Sequence, residues 1–264
     1  MTKLAANLSM LFTDALFLDR FDRAAAAGFD AVEFLFPYDY PVEEVKSRLD
    51  RNGLSLTLIN APAGDFAGGE RGFAARPDKR SEHEASVDLA VTYAQALHCP
   101  RIHVMSGITG SMERAACEAV WIDNMRLAAD RAAAAGLSVS IEPLNSRDVP
   151  GYFIAHQDPT LALIQQLDRR NVFLQFDVYH AQIMDGDIIR RIARLKGAYE
   201  HVQIAGVPDR HEPDTGELHY PAIFEAFARA GFDNPLGCEY VPRNGTEAGL
   251  GWAAPYLTRK APGA

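Results

Sequence analysis

The stretch that decides the fold is Ser138-Val139-Ser140-Ile141-Glu142-Pro143-Leu144-Asn145. Val139 and Ile141 suit a buried strand, and the turn signal Ala135-Gly136 comes just before them. The strand pattern stops at Glu142, which is followed by a proline that has no N–H to donate to a sheet. Because α/β enzymes place their reactive groups at the carboxyl ends of parallel strands, we predict that Glu142 lies in a functional site.

The same pattern occurs three more times in the second half of the chain. Each time an apolar run ends at or near a side chain that carries oxygen: Asp177 after residues 172–176, Gln203 after residues 200–202, and Glu239 after residues 235–238. Neighbouring strands of a closed parallel barrel lie side by side, so the ends of the fifth to eighth strands would form a continuous arc. The four side chains are therefore expected to point into one space at the top of a barrel.

Strand and helix patterns alternate about eight times along the 264 residues, with no linker or low-complexity segment between them. This alternation predicts an α/β protein, a single (β/α)₈ TIM barrel over residues 1–264, with a flexible tail over residues 257–264. A doubly wound open sheet is the alternative fold, but it requires a glycine fingerprint after the first strand, which residues 7–10 do not contain. A long glycine-rich loop over residues 60–80 is expected to be functional.

Composition limits the classes of partner. The formal net charge of −9 argues against a nucleic-acid-binding protein, which usually carries a basic surface. The three cysteines are too few and too scattered for a disulfide framework, and no apolar run is long enough to cross a membrane or to act as a signal peptide. We therefore expect a cytoplasmic protein with a small-molecule partner and no nucleic-acid or membrane partner. A homo-oligomeric state is compatible with the sequence.

Three carboxylates packed together repel one another unless a cation or protons intervene. A divalent metal would relieve this repulsion, and an all-oxygen ligand set without cysteine or a core histidine favours Mg²⁺ or Mn²⁺ over Zn²⁺. Each of the four residues taken singly could be a solvated residue at the start of a loop. Their recurrence at four strand ends favours a metal site made of Glu142, Asp177, Gln203 and Glu239.

Five further residues are candidates for substrate binding: His180, Arg210, Glu70, Arg71 and Asp148. His180 is expected in the loop above the Asp177 strand, and Arg210 follows the Gln203 strand, where its planar guanidinium could hold a carboxylate. The alternative for Glu70 and Arg71 is an ion pair that holds the glycine-rich loop. Asp148 either reaches the substrate or caps a turn.

Several motifs resemble the hydroxypyruvate isomerase family of xylose-isomerase-like barrels. They run from Ala5 to about Tyr256 and include Asn7-Leu8-Ser9-Met10-Leu11-Phe12, Pro62-Ala63-Gly64-Asp65, Gly69-Glu70-Arg71-Gly72, Ile141-Glu142-Pro143 and Gly237-Cys238-Glu239-Tyr240. Other segments are similar to the 2-oxo-tetronate isomerase branch: residues 32–38, His103-Val104-Met105, residues 201–206 and residues 208–213. The Ile141–Asn145 segment is nearer to the hydroxypyruvate branch, so the resemblance leaves the branch open.

The resemblance implies that Glu142 and Glu239 are the proton donor and acceptor pair and that both also hold the metal, together with Asp177 and Gln203. The expected reaction is isomerisation of a small sugar acid through an enediolate, which a divalent ion stabilises. Hydroxypyruvate converted to tartronate semialdehyde is the first expectation, and 2-oxo-tetronate converted to 3-oxo-tetronate is the alternative.

Three other functions are weaker alternatives. Related ketose 3-epimerases usually have histidine where this chain has Gln203, which disfavours an epimerase. A barrel endonuclease for damaged DNA would need several histidine ligands for zinc and a basic face. A non-catalytic sugar-acid-binding protein would keep its affinity when either glutamate is removed, whereas an isomerase would lose turnover.

Overall fold

A computed structural model describes residues 2–257. Eight parallel strands close into a barrel in chain order. The strands are β1 (Leu4–Asn7), β2 (Ala31–Phe34), β3 (Ser55–Asn60), β4 (Arg101–His103), β5 (Ser138–Ile141), β6 (Val172–Asp177), β7 (Tyr199–Ile204) and β8 (Leu236–Cys238). The predicted (β/α)₈ barrel is therefore confirmed.

The helices alternate with the strands and form the outer layer. They are α1 (Phe17–Ala26), α2 (Val42–Asn52), α3 (Arg80–Ala96), α4 (Arg114–Ala134), α5 (Gln157–Gln166), α6 (Val178–Met184), α7 (Ile188–Arg194), α8 (Tyr220–Arg229) and α9 (Thr246–Gly249), followed by a 3₁₀ turn at Leu250–Ala253. Their apolar faces cover the barrel; in α4, for example, Trp121 and Met125 are fully buried. This burial removes apolar area from water, which is the main stabilising contribution in such a fold.

The register of the strands determines which side chains are neighbours inside the barrel. Asp177 pairs with Gln203 across β6 and β7, and Asn7 pairs with Glu33 across β1 and β2. The ring closes where β1 pairs with β8. Because side chains alternate along a strand, residues two apart point to the same side. His201 therefore lies in the layer beneath Gln203.

The structure corrects the expected position of His180. Sequence reasoning placed it in a loop, but it lies on the short helix α6, which begins directly after β6. The Asp177 side chain caps this helix by accepting hydrogen bonds from the backbone N–H groups of Tyr179 and His180. The same carboxylate therefore ends the strand and fixes the start of the helix.

The glycine-rich loop packs back onto the barrel end. Gly72 pairs with Ser106 in an isolated antiparallel bridge, just beyond β4. Its φ is +93°, and a Cβ at this position would collide with the backbone oxygen of Met105. Only glycine allows this close approach without strain. The loop thus forms part of the wall above β4.

Two further expectations concern the whole chain. Cys99, Cys117 and Cys238 are free and buried. Within residues 2–257, no helix combines the length and apolar character that crossing a bilayer requires. The tail predicted over residues 257–264 lies outside the described residues apart from Leu257.

Candidate active site

The four side chains predicted from the strand ends lie at one end of the barrel: Glu142 directly after β5, Asp177 at the end of β6, Gln203 near the end of β7 and Glu239 directly after β8. Their exposed fractions are only 5%, 2%, 1% and 8%. Ionisable groups are rarely buried to this extent unless they are paired or bind a ligand. The contacts of each side chain therefore decide what the site can do.

Glu142 has few protein partners. Its Oε1 is buried and accepts no hydrogen bond from the described residues, and its Oε2 lies 3.8 Å from Nδ1 of His103. Asp177 Oδ1 accepts a hydrogen bond from the backbone N–H of Tyr179 at 2.7 Å. One oxygen from each of these two carboxylates and one ring nitrogen of His180 lie within 4.8 Å of one another. This spacing would allow a single ion to contact both carboxylates, and it places the His180 ring beside that position.

Gln203 and Glu239 already have protein partners. Gln203 Nε2 donates to Glu33 Oε1 at 2.8 Å, and Gln203 Oε1 accepts from Gln175 Nε2 at 2.6 Å. Glu239 Oε1 accepts from Asn7 Nδ2 at 3.2 Å. A carbonyl or carboxylate oxygen that accepts one hydrogen bond retains further lone pairs. Both residues therefore keep the capacity to contact a cation, and their role as ligands remains a prediction.

Arg210 lies against the carboxylates. Its Nη2 donates to Glu239 Oε2 and lies 3.4 Å from Asp177 Oδ2, while its guanidinium stands 5.0 Å from the ring centre of Tyr179. The backbone of Arg210 has a φ of 57°, a region that residues other than glycine seldom adopt, and its N–H donates to Gly206 O. Its Nη1 makes no hydrogen bond with the described residues. One face of the guanidinium thus remains available to an anion.

The hydrogen bonds of His180 determine its tautomer. The backbone N–H of Asn145 donates to His180 Nδ1 at 3.0 Å, so this nitrogen carries a lone pair. Burial lowers the pKa of His180 well below its usual value, and the positive charge of Arg210 lowers it further, so the ring is neutral and carries its proton on Nε2. Nε2 lies 3.6 Å from Asp177 Oδ2 and 4.0 Å from Glu142 Oε1. His180 therefore presents a hydrogen-bond donor to the site, where a metal ligand would need a lone pair.

The site carries excess negative charge. Burial raises the pKa of Glu142 well above its usual value, and the charges of Glu239 and Asp177 raise it further. Burial raises the pKa of Glu239 to about 8 and also raises that of Asp177, although Arg210 opposes both shifts. A single guanidinium does not neutralise three buried carboxylates. A cation or protons would complete the charge balance.

A cavity of about 220 Å³ opens above these groups. The predicted residues on its wall are Glu142, Glu239, His180, Arg210, Arg71 and Asp148. Asp148 accepts hydrogen bonds from the Tyr179 hydroxyl at 2.8 Å and from Asn145 Nδ2 at 3.0 Å. It therefore borders the cavity while also ordering the loop after β5.

The two loop candidates differ. Arg71 borders the cavity, but its Nη1 donates to the backbone oxygens of Phe66 and Glu70, and its guanidinium lies 3.9 Å from the centre of the Phe66 ring. Glu70 is absent from the cavity wall. Its Oε2 accepts from the backbone N–H of Asp65 at 2.8 Å, and its Oε1 lies 3.9 Å from Lys79 Nζ. Both contacts hold the loop in place.

Sequence reasoning missed three residues of this region. His103 ends β4 and Asn60 ends β3, and both border the cavity. Glu33, on β2, lies deeper: its Oε1 accepts from Asn7 and Gln203, and its Oε2 lies 2.7 Å from His201 Nε2. The strand-end rule that identified Glu142, if applied to β3 and β4, would have found Asn60 and His103.

The family model of the xylose isomerase-like TIM barrel matches residues 21–257. The chain belongs to this family. A 2-oxo-tetronate isomerase from Cupriavidus necator is 50% identical over 260 residues, which cover 98% of this chain and 100% of the relative. The hydroxypyruvate isomerase of Escherichia coli is 40% identical over 257 residues, which cover 97% of this chain and 100% of the relative. These matches confirm the resemblance found in the sequence and the prediction of an isomerase.

Two solved structures confirm the fold. The structure titled AP endonuclease, family 2, from Brucella melitensis superposes with a TM-score of 0.96 at 51% identity, covering 98% of this chain and 100% of that one. A D-psicose 3-epimerase from Clostridium cellulolyticum H10 superposes with a TM-score of 0.76 at 20% identity, covering 95% of this chain and 89% of that one. At that identity the second match supports only the barrel architecture.

Proposed function

We propose that this protein is a divalent-metal-dependent isomerase of small 2-oxo sugar acids. The observation that carries the proposal is that two buried glutamates, Glu142 and Glu239, border the same cavity as Arg210. The reaction needs two groups that exchange protons with adjacent carbons and a cation that receives the carboxylate of the substrate. This arrangement supplies all three.

The preferred substrate that we propose is a 2-oxo-tetronate, with hydroxypyruvate second. Relatives called 2-oxo-tetronate isomerase in Cupriavidus necator and Pectobacterium atrosepticum are 50% and 48% identical to this chain, against 40% for the hydroxypyruvate isomerase of Escherichia coli. Both reactions move a carbonyl group between neighbouring carbons. They differ in whether the substrate carries a hydroxymethyl group beyond the reacting carbons.

The residues at the barrel end fit a hard divalent ion. The unpartnered Oε1 of Glu142 and the nearby carboxylate of Asp177 are buried oxygens of the kind that Mg²⁺ and Mn²⁺ prefer. Gln203 and Glu239 would complete the set, whereas the Nε2 proton of His180 makes it a donor to substrate oxygens. When bound, the ion would polarise the carbonyl group of the substrate and stabilise the negative charge of an enediolate.

The two glutamates would transfer the protons. In the closed barrel, β5 and β8 lie three strands apart, so Glu142 and Glu239 approach a bound substrate from different sides. Glu142 would take or return a carbon-bound proton through Oε2, which makes no hydrogen bond with the described residues, while its Oε1 would contact the ion. Glu239 is held on one oxygen by Asn7 and on the other by Arg210. His180 Nε2 would donate to a substrate oxygen and keep it in place.

Turnover and its metal dependence test the proposal together. The purified protein should convert a 2-oxo-tetronate with a higher kcat/KM than hydroxypyruvate. A chelator should abolish both activities, and Mg²⁺ or Mn²⁺ should restore them. Asp177→Asn should need a higher metal concentration for half-maximal activity, because the substitution removes one charged ligand. Turnover of neither acid at saturating metal would contradict the proposed function.

Arg210→Ala should raise KM for both acids. Losing a hydrogen bond to a charged group costs about 1.5–3 kcal/mol. The matched comparison is Arg71→Ala, which should raise KM less because the loop already uses the Nη1 of Arg71. Residual activity on an uncharged ketose of similar length should change much less in the Arg210 variant. If acid and ketose activities fall in equal proportion, Arg210 shapes the loop and does not bind the carboxylate.

The other functions have less support. Gln203 stands where a related ketose 3-epimerase usually has histidine, and its amide is occupied by Glu33 and Gln175. The acidic cluster and the net charge of −9 suit neither a zinc endonuclease nor the phosphates of DNA. Buried glutamates that face a cavity give a sugar-acid-binding protein no evident advantage. A cytoplasmic location and a homo-oligomeric state remain predictions.

A further inference from the structure

The cavity has a second polar wall that the proposed reaction does not use. Asn60 ends β3 and His103 ends β4, and these two residues are paired in the strand register. Both border the cavity. Their side chains therefore lie next to each other on the same wall, away from the carboxylates of Asp177 and Glu239.

His103 lacks the partners that a buried histidine normally has. It is 1% exposed, and neither ring nitrogen makes a hydrogen bond with the described residues. Its Nδ1 lies 3.8 Å from Glu142 Oε2, which is beyond hydrogen-bond distance. An unpartnered polar group in such a position costs free energy unless a ligand satisfies it.

Asn60 has a fixed backbone and a free side chain. Its backbone N–H donates to Leu35 O at 2.9 Å, and its carbonyl oxygen accepts from the Tyr38 hydroxyl. Its amide group makes no hydrogen bond with the residues that the structure describes, although only 6% of the residue is exposed to solvent. Asn60 and His103 together offer donors and acceptors without a net charge.

The position of Asn60 and His103 relative to Arg210 determines which part of a bound substrate these two residues contact. In a closed eight-stranded barrel, β3 and β7 are four strands apart and so lie on opposite sides. Arg210 is in the loop after β7, whereas Asn60 ends β3. A sugar acid whose carboxylate contacts Arg210, and whose reacting carbons lie beside the glutamates, would extend its far end towards the opposite wall.

We propose that His103 and Asn60 bind the terminal hydroxymethyl group of a four-carbon sugar acid. This inference rests on the proposed function, and it identifies the hydroxymethyl group as the part of the substrate that determines specificity. A hydroxyl group is both a donor and an acceptor, which matches a neutral imidazole and an amide. Leu35 and Met105, also on the wall, offer apolar contacts to the methylene carbon. In hydroxypyruvate the hydroxymethyl carbon is itself a reacting carbon and no further hydroxymethyl group follows it, so His103 would stay buried without a partner and the pair would discriminate against this acid.

The test compares two acids that cannot be isomerised because they lack the carbonyl group. Erythronate has four carbons and glycerate has three, and calorimetry in the presence of Mg²⁺ gives the affinity of each. Wild type should bind erythronate more tightly than glycerate. His103→Leu should weaken erythronate binding about tenfold, the typical loss for one buried hydrogen-bonding group. Its affinity for glycerate should stay within about twofold, since the carboxylate end is unchanged.

Two further variants sharpen the comparison. His103→Gln keeps hydrogen-bonding atoms and should recover part of the erythronate affinity, and Asn60→Ala should reproduce the selective loss if His103→Leu does not fold. The kcat/KM ratio of 2-oxo-tetronate to hydroxypyruvate should fall in parallel. Equal weakening of both acids, or a wild type that binds them equally, would overturn the proposal. If the wild-type protein binds erythronate more tightly than glycerate but converts neither 2-oxo-tetronate nor hydroxypyruvate, only the proposed function is contradicted.

Discussion

Replacing Glu142 with glutamine should lower kcat by about 10²-fold or more at saturating divalent metal, because a general acid or base typically contributes about 10²–10⁴-fold. The substitution keeps the shape of the side chain but removes its ability to take a proton. Burial and two neighbouring carboxylates raise the pKa of Glu142, so its carboxyl group holds a proton more readily than that of a solvated glutamate. Steady-state kinetics on a 2-oxo-tetronate measures the loss.

Glu239→Gln should cause a loss of similar size. Because either glutamate can also contact the metal, each variant has to be assayed over a range of Mn²⁺ concentrations until turnover no longer rises. Glu225→Gln, an exposed position on α8, is the matched control and should keep wild-type kinetics. Near wild-type kcat in either active-site variant would show that its glutamate does not transfer a proton in the reaction.

The barrel and the strand-end residues could be predicted because each depends on a local pattern. Residues 42–52 combine apolar residues at helical spacing with the following Gly53, a pattern that predicts a helix, and α2 has these bounds. Glu142 and Glu239 follow short apolar runs that are typical of buried strands. Once strands and helices alternate eight times, closure of the barrel brings these ends together without further information.

The helix that carries His180 could not be read from periodicity. It has only seven residues and begins immediately after β6, so it contains no repeated apolar spacing. Its start does have a signal, since aspartate is a favoured N-cap and Asp177 precedes it. We interpreted Asp177 only as a metal ligand and not also as an N-cap, so the prediction placed His180 in a loop.

The polar residues inside the barrel beneath the site also could not be predicted from the sequence. In a parallel barrel the helices cover the outside of each strand, so both faces of a strand are buried and the pattern does not reveal which one points inward. Glu33 stands between Val32 and Phe34, which alone suggests a half-exposed strand. Only the closed barrel brings Glu33 to Gln203 and His201, which follow it by about 170 residues.

Glu33→Gln should lower the free energy of unfolding by about 1.5–3 kcal/mol, the usual contribution of a hydrogen bond to a charged group. Glu33 is fully buried, and burial opposes its charge, but His201, Gln203 and Asn7 together hold the pKa of its carboxyl group below the usual value. A glutamine would turn its NH₂ group either towards the donors Asn7 and Gln203 or towards the His201 ring. Urea denaturation followed by circular dichroism measures the change, and Asp123→Asn on the exposed face of α4 is the control for loss of a carboxylate.

A double-mutant cycle distinguishes the interaction energy between Glu33 and His201 from a general destabilisation of the barrel. His201→Gln alone leaves the Glu33 carboxylate without its partner 2.7 Å away, and Glu33→Gln alone leaves the imidazole unpaired. The double variant has neither unpaired group, so its destabilisation should be smaller than the sum of the two single effects by about 0.5–3 kcal/mol. Strict additivity would mean that the two side chains contribute independently.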